Sequence, residues 1–154
     1  MSSRPAELLS LRPGRPDDAP RLSAIAAAAK AHWDYPAEWL AIWREQLTIQ
    51  PALLTSAWVR VAERAGVPVG FIAVDGDAGG CEIIHLWVLP AAMGQGVGRA
   101  LVAAALGRAG GRAIEVEADP HAAPFYERVG FVRRGLVPAP MPGAADRALV
   151  LLAR

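Results

Sequence analysis

Glu82-Ile83-Ile84-His85-Leu86-Trp87-Val88-Leu89-Pro90, followed by Met93-Gly94-Gln95-Gly96-Val97-Gly98-Arg99, is the stretch whose reading decides the fold. Its first part is nearly all apolar or aromatic and reads as a strand buried on both faces, stopped by Pro90. Its second part sets a glycine at every other position. Val97, Leu101, Val102, Ala105 and Leu106 then fall at helical spacing, and Gly110-Gly111 closes the helix. A strand, a glycine loop and a helix in this order bring successive backbone amides to one point at the positive end of a helix dipole, which suits a phosphate or pyrophosphate. Glycine lets the backbone approach such a group with no Cβ in the way. A flexible turn is the plain alternative. A P-loop would need Gly-Lys-Ser/Thr, whereas Gly98 is followed by Arg99-Ala100. A dinucleotide loop wants an acidic residue about 20 positions on. Glu115 and Glu117 lie in that range, but the strands before the loop do not make an early βαβ unit.

Working outward, Trp58–Ala62 and Val69–Val74 alternate as strands joined by a hairpin turn at Ala65-Gly66. Asp75–Gly80 reads as a loop by composition. Upstream, a short strand at Leu8, Leu9 and Leu11 turns at Arg12-Pro13-Gly14, and Asp17-Asp18 open a helix carrying Leu22, Ile25, Ala26 and Ala29. His32–Pro36 breaks that pattern, and a second helix follows with Trp39, Leu40, Trp43 and Leu47 on one face, ended by Pro51. Downstream come a strand at Ala113–Glu117, a short helix from Pro120 to Val129 ended by Gly130, and strands at Phe131–Val137 and Ala148–Leu152 joined by a proline-rich connection from Pro138 to Gly143. Three consecutive strands predict a mixed, hairpin-linked sheet rather than a doubly wound one. No repeat or internal linker is visible, so residues 1–154 are expected to form one domain.

Composition narrows the function classes. The 154 residues carry a formal net charge of +1, without the concentrated basic surface of a nucleic-acid binder. Cys81 is the only cysteine, so no internal disulfide forms, and an inert packed thiol is expected. Met1–Pro5 is short and polar, unlike the start of a signal peptide. Apolar runs such as Ala24–Ala29 are far below the roughly 20 residues that span a bilayer. A cytoplasmic protein is expected, with no membrane partner. Three histidines without a nearby cysteine or carboxylate cluster do not suggest a metal site.

The glycine loop and the stretch Asp119-Pro120-His121-Ala122-Ala123-Pro124-Phe125-Tyr126-Glu127-Arg128-Val129-Gly130-Phe131 together resemble the two motifs of the GNAT (Gcn5-related N-acetyltransferase) family. Tyr35-Pro36-Ala37-Glu38-Trp39 is similar to a bacterial subgroup of small acetyltransferases. The resemblance implies an α/β (α+β) fold: a mostly antiparallel sheet of about seven strands, splayed between strands 4 and 5 and flanked by about four helices. It implies acetyl-CoA as acyl donor. The amides of Met93, Gly94, Gln95, Gly96, Val97, Gly98 and Arg99 would hold the pyrophosphate. Backbone groups of Leu86, Trp87 and Val88 would hold the pantetheine arm, with Asp119, Ala122, Phe125 and Tyr126 beside it. Met93 stands where the family usually has Arg or Gln, and Asp119 where it usually has Asn.

Direct attack of an amine on a thioester needs a neutral amine, a polarised carbonyl and a protonated leaving thiolate. An alkyl ammonium titrates near the lysine value, about 10.4, so a base is useful at neutral pH. The resemblance makes Tyr126 the acid that meets the thiolate, and a strand bulge near Val88 the source of an amide for the oxyanion. Glu82 matches the strand position where some relatives carry a base, and His85, three residues on, is the other candidate. Strand alternation puts the two on opposite faces unless the bulge intervenes. His121 reads as a solvated residue at a helix start. Trp33, Tyr35, Trp87 and Met141 are expected to wall the acceptor, a small-molecule amine, with aromatic faces suited to a cation. Two readings stay open beside this one, a non-catalytic acyl-CoA sensor and a protein N-terminal or lysine acetyltransferase. A homodimer is compatible with either.

Overall fold

The computed structural model describes residues 8–77 and 79–154, so the reading of Met1–Pro5 lies outside the described residues. Seven strands form one sheet: β1 (Leu9–Pro13), β2 (Trp58–Arg64), β3 (Val67–Asp77), β4 (Gly80–Val88), β5 (Ile114–Ala118), β6 (Val132–Pro138) and β7 (Ala148–Ala153), in the order β1-β2-β3-β4-β5-β7-β6. Every neighbouring pair is antiparallel except β4 and β5. The helices are α1 (Ala19–Ala31), α2 (Ala37–Leu47), the single turn α3 (Leu53–Ser56), α4 (Val97–Ala109) and α5 (Ala123–Arg128). This is the expected fold, with α3 one helix more than the hydrophobic pattern revealed.

The sheet separates two cores. On one face α4 and α5 bury Val97, Leu101, Val102, Ala105 and Tyr126 against Ala62, Ile72, Val74, Ile83 and Val116. On the other, α1 and α2 bury Leu22, Ile25, Trp43 and Leu47 against Val59, Val61, Phe71 and Ala73. Strand alternation delivers the two sets to opposite faces.

Several local expectations need correction. Asp75, Gly76 and Asp77 belong to β3 and Gly80 to β4 rather than to a loop, with Asp77 in register opposite Gly80. The glycines there let two backbones meet closely: a Cβ on Gly76, at φ +141, would lie 2.3 Å from the Gly80 carbonyl oxygen. Asp17 and Asp18 sit in a 3-10 turn (Pro16–Asp18) before α1. The Asp18 carboxylate is there taken by the Arg12 guanidinium, at 2.8 Å on each oxygen. The second helix stops at Leu47 rather than Pro51, since Thr48 is already extended. β4 is not buried on both faces, for only Ile83 of the strand is fully covered. The Ala65-Gly66 hairpin is as expected, with both residues at positive φ (+51 and +75).

The site is positioned by where β4 and β5 part. Their pairing covers only Cys81–Ile83 against Ile114–Val116. Beyond Ile83 the β5-facing edge of β4 has no strand partner, and β5 leads away into α5.

Candidate active site: a cleft between parting strands

The gap between β4 and β5 is a cleft of about 560 Å³, running from Ile83, His85, Leu86, Trp87 and Val88 to the glycine loop on one side and from Val116 to Tyr126 on the other. Unpaired edges of main chain line it, which is the geometry that lets a long polar ligand bond as an extra strand would.

At the mouth, Gly94 and Gly96 hold φ of +76 and +85, where a side chain would be strained although space is open around both. Gly98 is glycine for another reason: a Cβ there would lie 3.1 Å from the Phe125 ring. The first backbone bond into α4 runs from the Ala100 amide to the Gly96 carbonyl, at 3.0 Å. None of the amides from Gly94 to Arg99 makes a main-chain hydrogen bond of good geometry among the described residues. Gly94, Gly96, Val97, Gly98 and Arg99 line that end of the cleft. Unpaired amides at a helix N-terminus suit an anion.

Tyr126 lies across the cleft from β4. Its side chain is 4% exposed, packed edge-on against Phe125 and Phe131, and burial pushes its phenol well above the ordinary value. It stays protonated at neutral pH, so it can donate a proton or a hydrogen bond but not accept one as phenolate.

The bulge lies at Ile84, not near Val88: Ala73 is opposite His85 and Val74 opposite Ile83, so β4 carries one extra residue. It resets the alternation. Ile83 faces the α4 core, while Ile84 and Trp87 pack in the α1/α2 core. Glu82 and His85 thus come to the same face, the exception the strand pattern allowed. They are not equivalent. His85 lines the cleft, and its Nδ1 accepts the Trp87 indole N–H at 3.0 Å. In the neutral ring the remaining nitrogen then carries the proton, so no lone pair is left for a substrate. Burial holds the His85 pKa below 6.5, which favours that neutral form. Glu82 is outside the cleft lining, in a shallow depression with Asp75, Cys81 and Glu115. Its pKa is raised by burial first, then by Glu117, Glu115 and Asp75.

The far wall holds a cluster that sequence reasoning missed. Asp119, just past β5, accepts from Lys30 Nζ (2.9 Å) and Arg147 (3.2 Å) on one carboxylate oxygen, together with the Tyr35 hydroxyl, and from the His121 amide (2.9 Å) on the other. Burial alone would raise its pKa, but the bonds from Tyr35, the His121 amide and Lys30 outweigh burial and hold it below 3.8. Lys30 is pushed down from 10.5 by burial, partly offset by Asp119. The Tyr35 phenol is pushed up to about 12 by burial and by the adjacent carboxylate.

This cluster changes the reading of the aromatic residues. Lys30 Nζ sits 4.0 Å from the centre of the Trp43 ring and 5.1 Å from that of Tyr35, and the Arg147 guanidinium lies 5.0–5.9 Å from Trp43, Trp39 and Tyr35. Of the aromatic faces expected to attract a cationic acceptor, only that of Tyr35 is taken by the protein's own cations among the described residues, the other two cation-bearing rings being Trp39 and Trp43. Of the four expected wall residues, Trp33 and Trp87 line the cleft, whereas Tyr35 and Met141 pack in the α1/α2 core. His121 is exposed but not merely solvated, for it stacks on Trp33 at 4.9 Å and 3° and lines the same cleft. Ala122 and Phe125 also line it. Cys81 is packed against the α4-side core, as an inert thiol should be. A signal for the cluster did exist in the sequence: Lys30 is a lone charge within an apolar helix face.

A parallel strand pair opening into a cleft, with a glycine loop at a helix start and a buried phenol across it, is the arrangement expected from the family that the two motifs resemble. Residues 55–133 match the family model described as an acetyltransferase (GNAT) domain, and the chain belongs to that family. Among solved structures, a GCN5-related N-acetyltransferase from Rhodopseudomonas palustris is 26% identical with a TM-score of 0.79, the match covering 99% of both chains. YjaB from Escherichia coli, an apo solution structure, is 28% identical with a TM-score of 0.68 over 95% of both chains. The PaiA N-acetyltransferase of Thermoplasma acidophilum, solved with coenzyme A, shares the fold at 16% identity and a TM-score of 0.76, covering 96% of this chain and 98% of that one.

Proposed function

We propose that residues 1–154 form one acyltransferase domain that moves the acetyl group of acetyl-CoA onto the primary amine of a small molecule by direct attack on the thioester. The observation that carries this reading is the pairing of the amides from Gly94 to Arg99 with a buried Tyr126 in one cleft. Coenzyme A is long enough to use both, with diphosphate at the loop and sulfur at depth. The edge of β4 from Leu86 to Val88 has no strand partner on the cleft side and offers main chain for the pantetheine arm, and Ala122 and Phe125 offer apolar contact opposite. Asp119 is better suited to holding the wall than to binding the coenzyme, because four donors already fill its carboxylate.

The amine nitrogen bonds to the carbonyl carbon, the carbon–sulfur bond breaks, and the Tyr126 hydroxyl donates a hydrogen bond to the sulfur as its charge develops. A thiolate whose thiol titrates near 8.5 is a weaker base than the phenolate, so coenzyme A leaves as the thiolate, Tyr126 keeps its proton, and the ammonium proton passes through water to a carboxylate. Glu82 lies outside the cleft lining, yet it is the better of the two base candidates, because its carboxylate is in no ion pair among the described residues and can take the ammonium proton through water. His85 orients Trp87 instead. Acetyl-CoA turnover with a broad amine panel tests the reading. Tyr126→Phe should lower kcat about 100-fold with KM for acetyl-CoA nearly unchanged. Unaltered kcat in that variant would remove Tyr126 from the chemistry. Coenzyme binding without turnover of any amine would favour the sensor reading.

A further inference from the structure

β7 turns Val150 and Leu152 into the α4-side core, so alternation turns Leu149, Leu151 and Ala153 to the other face of the sheet. Opposite them on β6 stand Val137, Gly135 and Val132, in the same order. On that face α1 lies over β3 and β4, and none of these five apolar side chains belongs to either core of the described residues. Val132 is 54% exposed, and the other four are half-buried. Single apolar residues on a surface need no explanation, but five neighbours on paired strands make one continuous patch.

Gly135 sits in the middle of this patch without a reason in its own chain. Its φ is not positive, and a Cβ there would meet nothing within 4 Å. Glycine weakens a strand interior, and where the fold does not require it, it leaves room for another backbone or side chain to come close.

The charges beside the patch are ordered. On the β5 side, Glu115 is opposite Ala153 and Glu117 opposite Leu151. On the β6 side, Arg133 turns to α5 and bonds Glu127, so alternation turns Arg134, the extra residue of the bulge, to the open face beside Gly135. The row through Leu151 therefore runs from Glu117 to Leu151 to Arg134. Glu115, Glu117 and Arg134 are exposed, and none is in an ion pair among the described residues.

An acid, an apolar centre and a base in one row complement a second copy of the same row turned around. We propose that this face is the contact between two copies of the chain, packed sheet on sheet about a two-fold axis that runs along β7. Leu149 and Leu151 lie at the axis, and Arg134 of each copy lies over Glu117 of the other. Charge selects the axis: a two-fold axis across the strands would set acid on acid and base on base. Pairing through the free edge of β6 is disfavoured, because the bulge at Arg134 breaks its ladder and Pro138 has no N–H to donate. Arg134 of the second copy then stands at the rim of the cleft, which Glu117 lines. Three strands of about six residues cover roughly 14 by 20 Å, a small patch, so the dimer should be reversible with a Kd in about the micromolar range. This assembly does not depend on the transferase reading.

Sedimentation velocity over about 1–200 μM protein, the range around such a Kd, tests it. The wild type should shift from monomer to dimer across that range. Arg134→Glu and Glu117→Arg should each weaken dimerisation by about tenfold or more, since each turns two attractive pairs into two repulsive ones, and neither should lower the melting temperature. A mixture of the two single variants should form a heterodimer, because both of its pairs are again of opposite charge, and the double variant should recover the wild-type Kd. A wild type that stays monomeric at the highest concentration, or a dimer that neither variant weakens, overturns the proposal. Weakening by both variants without recovery in the mixture overturns the assigned axis.

Discussion

Replacing Asp119 by Ala removes the only carboxylate among the described residues that is paired with the buried cations Lys30 and Arg147. The side chains of Asp119, Lys30 and Arg147 are 13%, 10% and 10% exposed. Breaking a buried ion pair by deleting one partner costs about 3–5 kcal/mol, because the charge left behind is uncompensated. Here two charges and the Tyr35 hydroxyl lose their acceptor at once, so the upper part of that range applies. For a chain of this size that is a fall in melting temperature of roughly 8–20 °C. Lys30→Met is the instructive contrast. It keeps an unbranched apolar stem against Trp43 and leaves Asp119 bonded to Tyr35, Arg147 and the His121 amide. It also abolishes the desolvation that holds the Lys30 pKa down. Its cost should stay within about 1.5 kcal/mol, like other volume-conserving exchanges. Urea unfolding followed by far-UV circular dichroism, with m-values checked for constancy, reads both numbers. An Asp119→Ala cost below about 1 kcal/mol, or a Lys30→Met cost equal to it, would refute the claim that one carboxylate neutralises this wall.

Gly98→Val should raise KM for acetyl-CoA several-fold with kcat little changed, since a Cβ 3.1 Å from the Phe125 ring forces that ring into the cleft; an unchanged KM would mean the ring yields elsewhere. The depressed pKa of Asp119 makes its contribution to stability fully present above the ordinary carboxylate value of 3.8 and lost as pH falls through the lower folded-state value. Between about pH 4 and 2 the wild type should therefore lose stability more steeply than Asp119→Asn, which acid melting curves would show. A parallel pair of curves would contradict the bonding described.

What the sequence conveyed follows physical lines. The strand, glycine loop and helix from Glu82 to Ala109 were legible because the signals are local: alternation, helical spacing and glycines where positive φ is needed. The Ala65-Gly66 hairpin was legible for the same reason. Whatever depends on two distant segments was not. Lys30, Asp119 and Arg147 are far apart in the chain, and nothing in their neighbourhoods says that they meet. The Asp75–Gly80 stretch reads as a loop because its residues are poor strand formers alone, and the register with β4 overrides that preference. The bulge at Ile84 inserts one residue without a sequence mark. It alone determines that Glu82 and His85 share a face. The occupation of Nδ1 of His85 by Trp87 needed coordinates, although the spacing of two on a strand permits it.

The central claim is that main-chain amides at the loop hold a diphosphate whose thiol end reaches Tyr126. Isothermal titration calorimetry of the protein with coenzyme A and, separately, with pantetheine, which lacks the diphosphate, tests it most directly. The account predicts saturable one-to-one binding of coenzyme A and binding of pantetheine weaker by at least about 100-fold, the loss of several charge-assisted hydrogen bonds. Equal affinity for the two, or no heat from coenzyme A, would contradict it.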